Sequence, residues 1–151
     1  MELKKLANNT INFVINRIIE TAGIALVIIG LLLLLSLATF SPDDPNFIFP
    51  DNTEIKNFLG FRGSFISDLF FQSLGFASLL IPLSLIFTGI NIFLNKKLLV
   101  IIESLFYVSL YSLLGSLFFA TFYPGAFELY INGNGGFVGA YLQSTFINSL
   151  I

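Results

Sequence analysis

Three long runs of uncharged, mostly apolar residues dominate the hydrophobic pattern of the chain. They cover residues 21–40, residues 69–94 and residues 98–123, and the third run is broken only by Glu103. A helix rises about 1.5 Å per residue, so about twenty residues cross the ~30 Å hydrocarbon core of a bilayer. The pattern predicts an all-α, polytopic membrane helical bundle with three transmembrane helices at about residues 21–40, 69–94 and 98–121.

The first run has an alternative interpretation as a cleaved signal peptide. Ser36-Leu37-Ala38 resembles a small-x-small cleavage site. The apolar region of a signal peptide is only about 7–15 residues long, however, and this run is longer. We therefore expect a retained span.

The two ends of the chain are more polar than the runs between them. Residues 1–17 carry an apolar stripe at helical spacing, which favours a cytoplasmic amphipathic helix on the membrane surface that leads into the first span, with a frayed tail as the alternative. Residues 137–151 are too polar and too short to span a bilayer. They are interpreted as a surface helix, or as a truncated helix that leads to a fourth span missing from the chain. The N-terminal stripe consists of Leu3, Ala7, Ile11, Val14 and Ile18.

A sharp corner follows the first run, at residues 41–50, SPDDPNFIFP. Pro42 cannot continue a helix, and Pro45 keeps the chain extended. Asp43 and Asp44 are costly in hydrocarbon, so they mark where the lipid ends. The two aspartates are compatible with a hard cation site, but a solvated loop start is the favoured interpretation.

The second and third runs carry small residues at helical spacing. We expect Pro82 to kink the second span, and we expect its small face to pack against the small face of the third. Gly60-x-x-Gly63 and Gly133-x-x-Gly136 form an internal glycine repeat, since each precedes a helix. The small faces consist of Ser73, Ala77, Ser84 and Thr88 in the second span, and of Ser109, Ser112, Ser116 and Ala120 in the third.

The distribution of basic residues predicts the orientation. The N-terminal tail and the turn at residues 95–97 hold Lys and Arg, whereas the loop at 122–136 holds none and the loop at 41–67 holds two. The positive-inside rule puts the tail and the turn in the cytoplasm, and both loops outside.

The composition argues against several kinds of binding and catalysis. The chain is 56% hydrophobic and 11% charged, with a net charge of −2, so it has no electrostatic footprint for nucleic acid. It contains no cysteine and no histidine, and it has no Walker-type phosphate loop. We expect no catalytic residue, no cofactor and no metal. Glu103 is expected to snorkel toward Lys96 or Lys97; a role in proton or ion transport is the alternative.

Residues 18–47 resemble the first span and corner of the FtsK/SpoIIIE family of DNA translocases. In that family a Glu and a Gly lead the first helix, and a Ser-Pro-x-Asp-Pro corner ends it. The matching residues are Glu20, Gly23, Ser41, Pro42, Asp44 and Pro45.

Residues 57–90 resemble the next part of the family, with its Asn-x-x-Gly-x-x-Gly pattern, Asp, Gly and Pro. GGFVG at residues 135–139, which includes Gly136, resembles the glycine-rich stretch before the family's fourth span. Phe47 departs from the pattern, because a small residue and then a tryptophan are often found there. The matching residues of this second part are Asn57, Gly60, Gly63, Asp68, Gly75 and Pro82.

The resemblance implies the membrane domain of a septal translocase in the bacterial inner membrane. Such a domain anchors the protein, recruits cell-division membrane proteins and favours homo-oligomers, while a separate cytoplasmic ATP-driven motor moves DNA in chromosome partition. The corner would then be a periplasmic hinge, and this segment would contact lipid rather than nucleic acid. A transporter or channel subunit that uses Glu103, and a stand-alone membrane scaffold, are the alternatives.

Overall fold

The computed structural model describes residues 2–45, 54–125 and 132–147. Phe47, with its departure from the family pattern, and residues 148–151 lie outside these ranges. The described part is helical and contains no strand. Its α-helices are α1 (Glu2–Ala38), α2 (Gly60–Leu74), α3 (Leu80–Asn95), α4 (Val100–Phe122) and α5 (Gly136–Leu142).

Helix α1 runs without interruption over 37 residues, which is about 55 Å of helix. A helix that lies on the membrane surface and then enters the bilayer needs a break between the two parts. Residues 2–17 therefore continue directly into the first span, and a position of this part on the membrane surface stays a prediction. The apolar stripe belongs to the same helix as the first span, and Ile11, Val14 and Ile18 on it are exposed.

Three helical stretches are long and apolar enough to cross a membrane, namely Asn8–Ala38, Gly60–Asn95 and Val100–Phe122. This result confirms the prediction of three spans in an all-α membrane protein.

The second stretch is broken at Gly75–Leu79, a single 3-10 turn between α2 and α3. Gly75 has a φ of +60°, a conformation that residues with a side chain rarely adopt. Pro82 lies in the first turn of α3. The N–H groups of a first turn have no acceptor within the helix, so the missing N–H of proline removes no helical hydrogen bond there. The predicted kink at Pro82 is therefore wrong, because the break is at the glycine instead.

Glycines bring α1 and α3 into backbone contact. A Cβ on Gly23 would lie 2.7 Å from the carbonyl oxygen of Gly89, and a Cβ on Gly30 would lie 2.8 Å from the Ile86 side chain. Such close approach between helices lets dispersion forces and packing hold them together in lipid, where the hydrophobic effect does not. Helices α1 and α3 thus form the tightest pair.

Helix α4 packs against the break in the second stretch. Gly115 lies beside Ala77, and the Ser116 hydroxyl donates a hydrogen bond to the Leu74 carbonyl at 2.9 Å. The two small faces therefore meet near Ala77 and Ser116, as predicted. Further along α4 the prediction is wrong, because Ser109 is exposed and lines an open groove.

Candidate functional site: the corner after α1 and the ion pairs of Glu20

The corner begins where α1 ends at Ala38. Pro42 follows four residues later, and the Asp44 amide donates to the Ser41 carbonyl at 3.2 Å, which closes a turn. Because proline has no N–H and excludes helical geometry before it, the chain leaves the helix at this point. The predicted stop before Pro42 is confirmed.

Asp44 is the centre of the corner. Its carboxylate accepts hydrogen bonds from two successive backbone amides, those of Lys56 at 2.7 Å and Asn57 at 2.8 Å. The residue is only 3% exposed. The prediction of a solvated loop start is therefore wrong for Asp44, because the chain folds back and covers the carboxylate with residues 56 and 57.

Asn57 then closes the end of α1. Its side-chain amide donates to the carbonyls of Ser36 at 2.9 Å and Thr39 at 3.3 Å. The last four carbonyls of a helix have no partner within the helix, so a buried helix end needs donors from elsewhere. Asn57 supplies them, and its own oxygen accepts from the Leu59 amide at 3.1 Å.

The start of α2 completes the network. The Ser36 hydroxyl donates to the Gly63 carbonyl at 2.7 Å, and the Ser64 hydroxyl donates to the Pro45 carbonyl at 2.9 Å. A Cβ on Gly63 would lie 2.1 Å from the Asn57 side-chain oxygen, so only glycine fits there. Gly60 has a φ of +66° at the first position of α2. The corner is thus a closed polar latch between α1 and α2.

Asp43 lies on the outside of the latch. Its carboxylate pairs with the Lys56 ammonium at 2.8 Å, and both side chains are more than half exposed. The hydrogen bond to Asp43 raises the pKa of Lys56 above its ordinary value. Both Asp44 oxygens and one Asp43 oxygen already accept hydrogen bonds, and within the described ranges no cluster of three metal-ligating acidic side chains occurs.

A second charged cluster joins the middle of α1 to the C-terminal end of α3. Lys96 ends α3 in the left-handed conformation, with a φ of 57°. Its ammonium contacts the Glu20 carboxylate at 2.9 Å, and Arg17 pairs with the same carboxylate. Glu20, a residue of the family pattern, therefore links the first span to the turn after α3.

Glu103 lies exposed in the first turn of α4, and across the described residues no ion pair joins it to Lys96 or Lys97. Lys96 is turned to Glu20 instead. The expectation that Glu103 snorkels toward these lysines stays a prediction.

Three residues of the family pattern lie between the two clusters. Asp68 is half-buried in α2 and is 3.5 Å from the Gln72 amide. Gly75 and Gly136 lie against each other with positive φ, and a Cβ on Gly75 would be 1.9 Å from the Asn134 carbonyl oxygen. The loop before α5 therefore packs directly on the break in the second stretch.

The structure also shows two latch residues that our sequence reasoning missed. Ser36 is the one hydroxyl in the leucine-rich end of α1, and Ser64 follows Gly63 directly. A lone polar side chain at the end of an apolar run was the available signal for Ser36. Nothing in the local sequence around Ser64 indicated a contact with Pro45.

These features define a polytopic helical membrane domain with two polar clusters that hold its spans together. Residues 16–150 match the family model described as the 4TM region of DNA translocase FtsK/SpoIIIE. The chain belongs to this family, and the match confirms the resemblance in the sequence. Membership in this family and the three apolar helices make it an inner membrane protein.

Named relatives support the same assignment. DNA translocase FtsK of Azospirillum brasilense is 36% identical over 87 residues, which are 56% of this chain and 14% of that protein. DNA translocase FtsK of Rickettsia bellii is 35% identical over 77 residues, which are 51% of this chain and 10% of that protein. The chain thus spans a small part of the length of these relatives. No solved structure matches it.

Proposed function

We propose that this chain is the membrane-anchoring and assembly domain of a septal DNA translocase that acts in cell division and chromosome segregation. The observation that carries the proposal is the family match, which covers almost the whole chain. The ATP-driven motor belongs to another part of such a protein, and this domain has no catalytic role of its own. It binds no nucleic acid directly, since its net charge is −2.

The corner is the part of the domain that we assign to outward contacts. Phe58 and Phe61 are 73% and 51% exposed beside the latch. Exposed aromatic side chains next to a rigid polar element suit both the lipid interface and the membrane segments of other division proteins. The latch keeps this surface in a fixed position relative to α1.

The orientation follows from the lysines and is tested with reporter fusions. A reporter fused after Asn52 or Gly135 is expected to be active outside the membrane, and one fused after Lys97 is expected to be active inside. If the fusion after Lys97 is active outside, the orientation is inverted. The corner would then face the cytoplasm, and the assignment of outward contacts would fail.

The septal role is tested in dividing cells with a fluorescently tagged protein. The wild type is expected at midcell, and Phe58→Ala with Phe61→Ala is expected to remain in the membrane but lose midcell enrichment. Ile55→Ala is the matched control, because Ile55 is also exposed and lies just before the latch. Uniform membrane fluorescence of the wild type would refute the septal role and leave the family assignment untouched.

Self-association is the remaining part of the proposal, since an assembly domain brings copies together. Cross-linking in native membranes should give dimers and larger species of the wild type. Monomers at every cross-linker dose would leave an anchor without an assembly role.

A further inference from the structure

The chain contains two copies of one helix–corner–helix pattern. Residues 38–42 read ATFSP at the end of α1, and residues 120–124 read ATFYP at the end of α4. The following helix begins with GFRG at Gly60 in the first copy and with GFVG at Gly136 in the second. Over Gly60–Leu74 and residues 136–150, six of the fifteen positions are identical. The internal glycine repeat predicted from the sequence paired Gly60 with Gly133. That alignment is three residues out of register, because Gly60 corresponds to Gly136.

The backbone shows the same correspondence. Thr39 and Thr121 each donate a side-chain hydrogen bond of 2.8 Å to the carbonyl four residues earlier. Gly60 and Gly136 both have positive φ, of 66° and 63°. The amide of each also donates to the carbonyl three residues earlier, at 2.9 Å and 3.1 Å. The two copies therefore share local structure as well as sequence.

This register shows which face of α4 corresponds to the packed face of α1. With ATFSP aligned on ATFYP, the residues of α1 that contact α3, which are Gly23, Val27 and Gly30, correspond to three residues of α4. The corresponding residues are Leu105, Ser109 and Ser112, and all three line one open groove of about 450 Å³. Phe70, Leu74 and Ile81 form the other wall of this groove, which we name the α4 groove. On α4 the corresponding face is only partly covered, since Leu105 and Ser109 are exposed while Ser112 is buried.

A buried hydroxyl in the groove points to an absent neighbour. Ser112 is only 4% exposed, and across the described residues its hydroxyl has no hydrogen-bond partner. A buried polar group without a partner costs free energy, and between helices in a membrane such hydroxyls bond across the interface. Its counterpart Gly30 lies against Ile86 and the Pro82 carbonyl.

We propose that the α4 groove is the docking site of an inward-running transmembrane helix equivalent to α3, supplied by the polypeptide that follows residue 151 in the full-length translocase. Helix α5 corresponds to α2, and in the first copy α2 leads into α3 through one turn. Helix α5 already lies beside the groove, since Gly139 packs on Ser116, one turn from Ser112. The matched region is described as 4TM, whereas three helices in the described ranges are long enough to span.

The repeat register specifies which residues should meet. Ile151 corresponds to Gly75, so the residue eleven positions beyond Ile151 corresponds to Ile86 and should lie against Ser112. The residue fourteen positions beyond it corresponds to Gly89. Because a Cβ on Gly89 would contact Val27, the counterpart of Ser109, this second residue should lie against Ser109.

The experiment is disulfide cross-linking in the full-length protein in native membranes. These 151 residues contain no cysteine, and any cysteine elsewhere in the protein is replaced by serine. Ser112→Cys is paired with a cysteine at the residue eleven beyond Ile151, and mild oxidation should form an intramolecular disulfide that protects both thiols from maleimide. Leu114→Cys with the same partner is the control, because Leu114 lies on the opposite side of α4 and is 54% exposed. The thiol of the Leu114→Cys variant should remain reactive toward maleimide.

Ser109→Cys, paired with the residue fourteen beyond Ile151, is an independent second pair. Disulfides in both pairs, and not in the Leu114 control, support the proposal. Equal reactivity of the Ser112 and Leu114 variants would overturn it, and so would a reading frame that ends at Ile151. A disulfide between the Ser112→Cys residues of two copies would show that a second copy fills the groove instead. The proposal rests on the membrane-domain assignment, so loss of midcell localisation would leave this cross-link unchanged.

Discussion

Replacement of Asp44 is the sharpest test of the latch between α1 and α2. The carboxylate accepts two backbone hydrogen bonds at 2.7 and 2.8 Å while the residue is 3% exposed. Asn is nearly the same size, but its side chain keeps only one acceptor oxygen. Its NH2 group would face one of the two backbone amides, and both of these groups are donors. Hydrogen bonds to a charged group contribute about 1.5–3 kcal/mol each, so Asp44→Asn should destabilise the domain by about 2–3 kcal/mol.

Asp44→Ala should cost more, about 3–5 kcal/mol, because both amides then lose their acceptor. The loss also releases Asn57, whose side chain caps the carbonyls of Ser36 and Thr39. Asp43→Asn is the matched control. It removes a neighbouring carboxylate that is 73% exposed and pairs with an exposed lysine side chain, so its effect should be small.

The assay uses Ala77→Cys as a reporter thiol in all variants. Ala77 is 1% exposed and the chain has no native cysteine, so maleimide labelling in a detergent titration follows unfolding. A loss of about 2 kcal/mol raises the labelled fraction about thirtyfold at a fixed detergent composition. If Asp44→Asn and Asp43→Asn label at the same rate, the Asp44 carboxylate does not hold the corner.

Three further changes test the rest of the structure. Gly23→Ala should destabilise the domain by about 1–3 kcal/mol in the same thiol assay, because its Cβ would meet the backbone of α3, whereas Gly125→Ala has open space and should be neutral. Gly60→Ala should cost about 1–2 kcal/mol from its positive φ alone, and a neutral result would refute that conformation. Glu20→Gln and Lys96→Gln should each reduce the stability of the domain by less than Asp44→Asn does, because Lys96 is 41% exposed. Their effects should be non-additive in a double-mutant cycle, and additive effects would contradict the ion pair.

The helical class, the three spans and the end of the first span before Pro42 followed from the amino-acid sequence alone. These features depend on local properties of the chain. A span is recognised because the length of its apolar run matches the thickness of the bilayer, and proline disfavours helical geometry wherever it occurs. The residues of the family pattern could also be named from the sequence, but the contacts of Asp44 and Glu20 could not.

Which groups these residues meet depends on how the helices pack in the fold. Asp44 lies next to residues 56 and 57 because the chain folds back across the end of α1, and Lys96 is turned to Glu20 rather than Glu103 because α3 packs along α1. The break at Gly75 instead of Pro82 has the same origin, since the loop before α5 packs on Gly75 and leaves no room for a side chain. Each of these outcomes depends on which helices are neighbours, and spacing along the chain does not contain that information.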